Sequence, residues 1–93
     1  MLSTHVLDTA NGRPAVGVRV ELYRGDELVG SGETDTDGRI RDLAATGAGT
    51  YRLVFHAPSP FFNRVEVELA LSDGDNHVPL LLSPYQCTIY RGS

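Results

Sequence analysis

Val65-Glu66-Val67-Glu68-Leu69-Ala70-Leu71 sets an apolar side chain at every second position, with Glu66, Glu68 and Ala70 between. Successive side chains of an extended strand point to opposite faces, so Val65, Val67, Leu69 and Leu71 share one face of a half-buried strand. A helix would scatter the same four residues around its axis. The pattern recurs in both directions. Tyr51, Leu53 and Phe55 alternate with Arg52 and Val54, and Val16, Val18, Val20 and Leu22 oppose Gly17, Arg19, Glu21 and Tyr23. Near the start, Thr4, Val6 and Asp8 oppose Ser3, His5 and Leu7. His77 to Leu82 is more uniformly apolar and is predicted to be covered on both faces. Cys87 and Ile89 read as the core face of a last strand, turning Thr88 and Tyr90 outward.

Turn chemistry separates these runs. Asn11-Gly12-Arg13-Pro14, Arg24-Gly25-Asp26, Asp37-Gly38, Gly47-Ala48-Gly49 and Asp73-Gly74-Asp75-Asn76 all offer residues suited to turns, and Pro58 and Pro60 break the stretch after Phe55. No window has a period of 3.6 residues. Seven or eight short strands at this spacing predict an antiparallel β-sandwich, with residues 1–93 forming a single domain.

At 41% hydrophobic residues the chain can bury a core, which rules out intrinsic disorder. The net charge of −4, with the arginines scattered and no lysine at all, argues against nucleic acid as a partner. Cys87 is the only cysteine, so neither an intramolecular disulfide nor a thiolate metal site can form. No apolar run approaches the roughly 18 residues that span a bilayer, so no membrane association is expected. The start lacks the basic and apolar stretches of a signal peptide, making the cytoplasm the expected compartment.

The residues able to carry chemistry are His5, Arg39, His56, His77, Tyr90, Arg91 and Ser93. Histidine exchanges protons near neutrality, and arginine presents a planar fork to anionic or carbonyl oxygen. Each has a plainer reading. His56, beside Ala57-Pro58 and without an evident partner, reads as a surface residue, and Arg39 after Asp37-Gly38 could be a solvated hairpin arginine. Tyr90 could be an interface aromatic. The combination is what needs explaining. His5 shares its face with Leu7, and His77 shares one with Pro79 and Leu81. Such an apolar outward face rimming two histidines predicts burial against another subunit. Chain ends fray unless held, so Tyr90-Arg91-Gly92-Ser93, directly after strand-like sequence, is predicted to dock. Three separated histidines without close pairing make a metal site improbable, and the glycine-rich stretches are turns, not phosphate loops.

Ser3-Thr4-His5-Val6-Leu7-Asp8-Thr9, Gly12-Arg13-Pro14-Ala15, Thr36-Asp37-Gly38-Arg39, His77-Val78-Pro79-Leu80-Leu81-Leu82-Ser83-Pro84 and the closing Tyr90-Arg91-Gly92-Ser93 together resemble the transthyretin-related proteins. Within them the chain is most similar to the 5-hydroxyisourate hydrolases, from end to end. The resemblance implies a transthyretin-like Greek-key sandwich that dimerises through edge strands and pairs into a homotetramer with a central channel. It implies hydrolysis of 5-hydroxyisourate to 2-oxo-4-hydroxy-4-carboxy-5-ureidoimidazoline in urate degradation, with no cofactor. His5, Arg39, His77 and Ser93 match the family's catalytic positions. His5, Arg39 and Tyr90 match those that bind substrate.

Two departures stand out. The family carries a short helix between the strand ending here at Phe55 and the following Phe-Phe, but only His56-Ala57-Pro58-Ser59-Pro60 precedes Phe61-Phe62, so the helix is expected to be missing. Asp75-Asn76-His77 stands where the family often reads His-Tyr-His, keeping only the second histidine. The rival function is a non-catalytic carrier of small planar ligands on the same fold.

Overall fold

A computed structural model describes residues 1–93, folded into nine strands with no helix. The strands are β1 (Leu2–Asp8), β2 (Arg13–Pro14), β3 (Arg19–Arg24), β4 (Glu27–Glu33) and β5 (Arg39–Ala44), then β6 (Gly49–His56), β7 (Val65–Leu71), β8 (Asn76–Leu82) and β9 (Cys87–Ile89). They form two sheets. One runs β4-β3-β6-β7; the other runs β2-β1-β8-β9, with β5 also paired to β1.

The alternation read from the sequence supplies the core. Leu2 and Val6 of β1, Val20 and Leu22 of β3, Leu53 and Phe55 of β6, and Leu80 of β8 are fully buried between the sheets. Burying a side chain of this size stabilises the fold by about 1.5–3 kcal/mol. Thr4 lies among them with its hydroxyl satisfied, donating to the Val78 carbonyl at 2.6 Å. The loop of Ala57 to Arg64 joins β6 to β7 where the family helix was expected to be missing.

Three expectations need correcting. Pairing is antiparallel everywhere except between β1 and β8, which run parallel from Leu2↔Asn76 to Asp8↔Leu82. Local alternation cannot reveal direction, because antiparallel and parallel strands share a period of two. Val16 lies ahead of β3 and is 60% exposed, so the buried run begins at Val18, just before the strand, and continues with Val20 and Leu22. The outer face of β8 is only partly covered: Pro79 is buried, but His77 and Leu81 are half-buried.

The β4–β5 turn feeds the candidate site. Asp35 Oδ1 accepts the Asp37 and Arg39 amides at 2.9 and 3.0 Å, and its Oδ2 accepts Arg41 Nη1 at 2.8 Å. The Arg39 amide bond, ahead of the others, holds the Asp35 carboxyl below its ordinary range. Gly38 closes the turn at φ +74°, and its carbonyl oxygen accepts the Val6 amide at 2.8 Å. A Cβ there would stand 2.6 Å from the Val6 carbonyl oxygen. Gly38→Ala therefore meets both backbone strain and a backbone collision. We predict a loss of about 2 kcal/mol or more, seen as a fall of roughly 8 °C or more in Tm; an unchanged melting curve would contradict this reading.

Candidate active site

Parallel pairing of β1 with β8 brings Ser3 level with His77 and His5 level with Pro79. On the other edge of β1, His5 pairs with Arg39 of β5. Residues from three distant stretches of chain thus meet on one face of the sheet, the side away from the core. The C-terminal tail completes the arrangement. Gly92 bridges antiparallel to His77, and its amide donates to the His77 carbonyl at 2.7 Å. The predicted docking of the tail is therefore found, and the tail also covers Pro79: a Cβ on Gly92 would lie 3.3 Å from that ring.

Between these elements opens a cleft of about 650 Å³, lined among others by Ser3, Arg39, Arg41, His77, Arg91 and Ser93. Arg41 is committed to Asp35 and Asp37, at 2.8 and 3.6 Å. Arg39 and Arg91 form no ion pair within the chain, so their guanidiniums are free for a ligand. Asp75 is the one acidic side chain among the lining residues. No three of His, Cys, Asp or Glu converge anywhere as a metal-ligand set. The donors present suit a polar, electron-rich heterocycle or an anion.

The two imidazoles differ in state. His5 Nε2 lies 3.0 Å from the Asp37 carbonyl oxygen. A carbonyl only accepts, so His5 Nε2 carries a proton, and Nδ1 is its free nitrogen when the ring is neutral. His77 Nδ1 lies 2.8 Å from Ser3 Oγ, a hydroxyl that can donate or accept. Burial depresses the pKa of His77 below its ordinary 6.5, helped by the charges of Arg39 and His5, while a hydrogen bond to the Ser3 backbone pulls the other way. His77 is therefore neutral at neutral pH. Its depressed folded value contributes stability in full above 6.5, and this is lost as pH falls through the folded value.

The sequence candidates separate accordingly. Arg39, His77, Arg91 and Ser93 line the cleft, and His5 stands beside it, paired with Arg39. Tyr90 does not line it. Its half-exposed ring borders a separate apolar cavity of about 220 Å³ at the β7 and β9 edge, with Val67, Leu69 and Ile89. His56, read as lacking a partner, has one: its Nε2 bonds Glu21 Oε1 on the outer face of the other sheet. That carboxylate also accepts Tyr23 Oη, so the group is a surface network remote from the cleft. Ser3, Arg41 and Asp75 escaped the sequence reading. Ser3 had one available signal, its placement two residues before His5 on the same strand face.

A β-sandwich with a cationic, imidazole-bearing cleft on the outer face of one sheet defines the class. Residues 2–92 match the HIUase/Transthyretin family, and the chain belongs to it. The 5-hydroxyisourate hydrolase 2 of Rhizobium meliloti is 46% identical over 114 aligned positions, covering 99% of this chain and 95% of that protein. Because the chain has 93 residues, the relative carries segments that this chain lacks. The structure of Klebsiella pneumoniae 5-hydroxyisourate hydrolase superposes with a TM-score of 0.89 at 34% identity, covering 99% of this chain and 97% of that one. Sea bream transthyretin in complex with thyroxine gives 0.85 at 27% identity, covering 98% and 93%. One fold thus hosts a hydrolase and a thyroxine-binding protein, and only the chemistry of the site separates them.

Proposed function

We propose that this chain hydrolyses 5-hydroxyisourate with water activated by histidine. The observation that carries the reading is the meeting of a neutral His77 with an unpaired Arg39 in one cleft closed by the chain's own tail. A carrier needs shape complementarity but no proton-transfer group. Here an imidazole of depressed pKa faces two free guanidiniums, which is an arrangement for chemistry.

In the proposed mechanism His77 takes a proton from water as the oxygen bonds to a ring carbonyl carbon of the substrate. Arg39 stabilises the oxyanion that develops. The C–N bond then breaks, and the imidazolium returns its proton to the departing nitrogen, leaving a carboxylic acid that gives its own proton to solvent. Beside Arg39, the His5 N–H fixed on Asp37 orients its ring. The Ser93 hydroxyl or terminal carboxylate positions water or the neighbouring histidine. No cofactor takes part.

Assembly belongs to the same proposal. Half-buried His77 and Leu81 leave this face incompletely covered in one chain. Packing of two dimers into a homotetramer would cover it. Tyr90 acts in substrate binding only through that packing, since its ring lies outside the cleft of its own chain. We place the protein in the cytoplasm; no helix is long and apolar enough to cross a membrane.

The test generates 5-hydroxyisourate from urate with urate oxidase and follows its ultraviolet decay with and without the protein. Acceleration by a tetramer of verified mass is expected. A tetramer that binds the compound but leaves its decay unchanged would establish a carrier instead.

Gly92 gives a sharper prediction about the tail. A Cβ there would stand 2.6 Å from His77 Cδ2, so a valine must displace the imidazole or lift the tail. Either removes a cleft wall, and a misplacement of about 1 Å can cost ~10²-fold in rate. Gly92→Val is expected to lose about that much kcat/KM while its Tm holds, because no tail residue belongs to the core. A fully active Gly92→Val protein would show that the docked tail is dispensable.

A further inference from the structure

Two contacts fix the His77 ring from opposite sides. Ser3 Oγ meets Nδ1 at 2.8 Å, and Gly92 packs so closely on Cδ2 that a Cβ would approach it to 2.6 Å. The edge left open is Cε1–Nε2, and Nε2 makes no hydrogen bond within the chain. The ring lines the cleft, so Nε2 is the nitrogen available to a ligand. Whether it offers a lone pair or a proton depends on the tautomer, and therefore on what Ser3 does at Nδ1.

The surroundings decide between the two. Arg39 on β5 and Arg91 on the tail bring positive charge to the cleft, with His5 next to Arg39 on β1. The opposing groups are Asp75, in the turn before β8, and the C-terminal carboxylate of Ser93. Arg41 is already spent on Asp35 and Asp37. An N–H at Nε2 would add a positive end to a cleft that already holds two free guanidiniums, whereas a lone pair there is favoured by them. The proton then belongs on Nδ1, donated to Ser3 Oγ.

We propose that Ser3 is a positioning residue that locks His77 in the Nδ1–H tautomer and so leaves Nε2 as the basic atom facing the cleft. Ser3 does this from the adjacent parallel strand, directly level with His77, so the pair is built into the sheet register and not into a mobile loop. The hydroxyl supports the imidazole much as an outer carboxylate or carbonyl supports a histidine that must present a fixed nitrogen. It also favours the protonated ring that forms during turnover, since both states of His77 then donate from Nδ1 to the same oxygen.

The role rests on the hydrolase reading for its kinetic consequence but not for its structural one. Ser3→Ala, Ser3→Thr and the unaltered protein are compared by nitrogen-15 imidazole shifts without substrate and by kinetics with 5-hydroxyisourate. Unaltered protein and Ser3→Thr are expected to show His77 protonated at Nδ1. In Ser3→Ala the Nδ1–H loses its hydroxyl acceptor, so Nε2–H gains population against the pull of the guanidiniums; kcat falls about tenfold to a hundredfold with little change in KM, and the acid limb of kcat/KM moves to lower pH. A Ser3→Ala protein with the unaltered tautomer, or with the tautomer moved and kcat kept, overturns the proposal. Absence of hydrolysis by the unaltered protein would sink the hydrolase reading alone, since the shifts still decide what Ser3 does to His77.

Discussion

His77→Asn is expected to lower kcat/KM for 5-hydroxyisourate by ~10²–10⁴-fold, the range that a positioned general base contributes. Asparagine is the informative replacement. Its amide reaches about as far as imidazole Nδ1, so the hydrogen bond with Ser3 and the backbone bond from Gly92 can both persist. What it lacks is a basic atom at the place of Nε2. The fold should therefore hold, with a melting curve near that of the unaltered protein, while proton abstraction fails. Substrate binding through Arg39 and Arg91 should survive, so the loss belongs in kcat. His77→Asn retaining most of its rate would remove His77 from the chemistry and shift the role to His5, whose free nitrogen is Nδ1.

Arg39→Ala comes next, with an expected fall of ~10²–10³-fold in kcat/KM, the cost of deleting one preorganised donor to an oxyanion. Arg39 is prepared for that role by the backbone. Its amide is tied to Asp35 Oδ1, its Cα is level with His5, and its guanidinium forms no ion pair. Little reorganisation is then needed when charge develops on the substrate. Arg39→Lys should recover only part of the loss, because an ammonium cannot present the planar two-pronged donor. Arg41→Ala is the contrasting variant: its side chain is held by Asp35 and Asp37, so its removal should loosen the turn more than it alters the chemistry. Steady-state kinetics on the three proteins check the order. Equal effects of Arg39→Ala and Arg41→Ala would mean that the cleft needs positive charge but no specific donor.

Most of the architecture could be read from local pattern. Period two in Val65–Leu71, Tyr51–Phe55 and the first strand marks which side chains turn inward, and burial of Leu53, Phe55 and Val6 follows that reading. The missing helix was legible from the five residues between Phe55 and Phe61. Strand direction and register were not, because they depend on partners far away in the chain. That is why the parallel β1–β8 pair went unforeseen, and with it the pairing of Ser3 and His77, 74 residues apart. The candidate residues stood out by their chemistry and took their roles from the resemblance, and the cleft gathers Arg39, His77, Arg91 and Ser93. Tyr90 shows the limit of such carry-over within one chain. The alternation of the last strand turns it outward with Thr88, but its ring borders an apolar cavity with Val67, Leu69 and Ile89, apart from the cleft. His56 shows the opposite error: a histidine at the break before Pro58 looks isolated until the neighbouring strand supplies Glu21.

The account turns on a neutral His77 acting as base, and the pH dependence of kcat/KM for 5-hydroxyisourate tests it most directly. Burial, then Arg39 and His5, set the His77 pKa below 6.5, so the base should remain competent as pH falls past that value. The account predicts an acid limb centred below 6.5. A limb centred at or above 6.5, or a rate that does not fall at all on acidification, would contradict it.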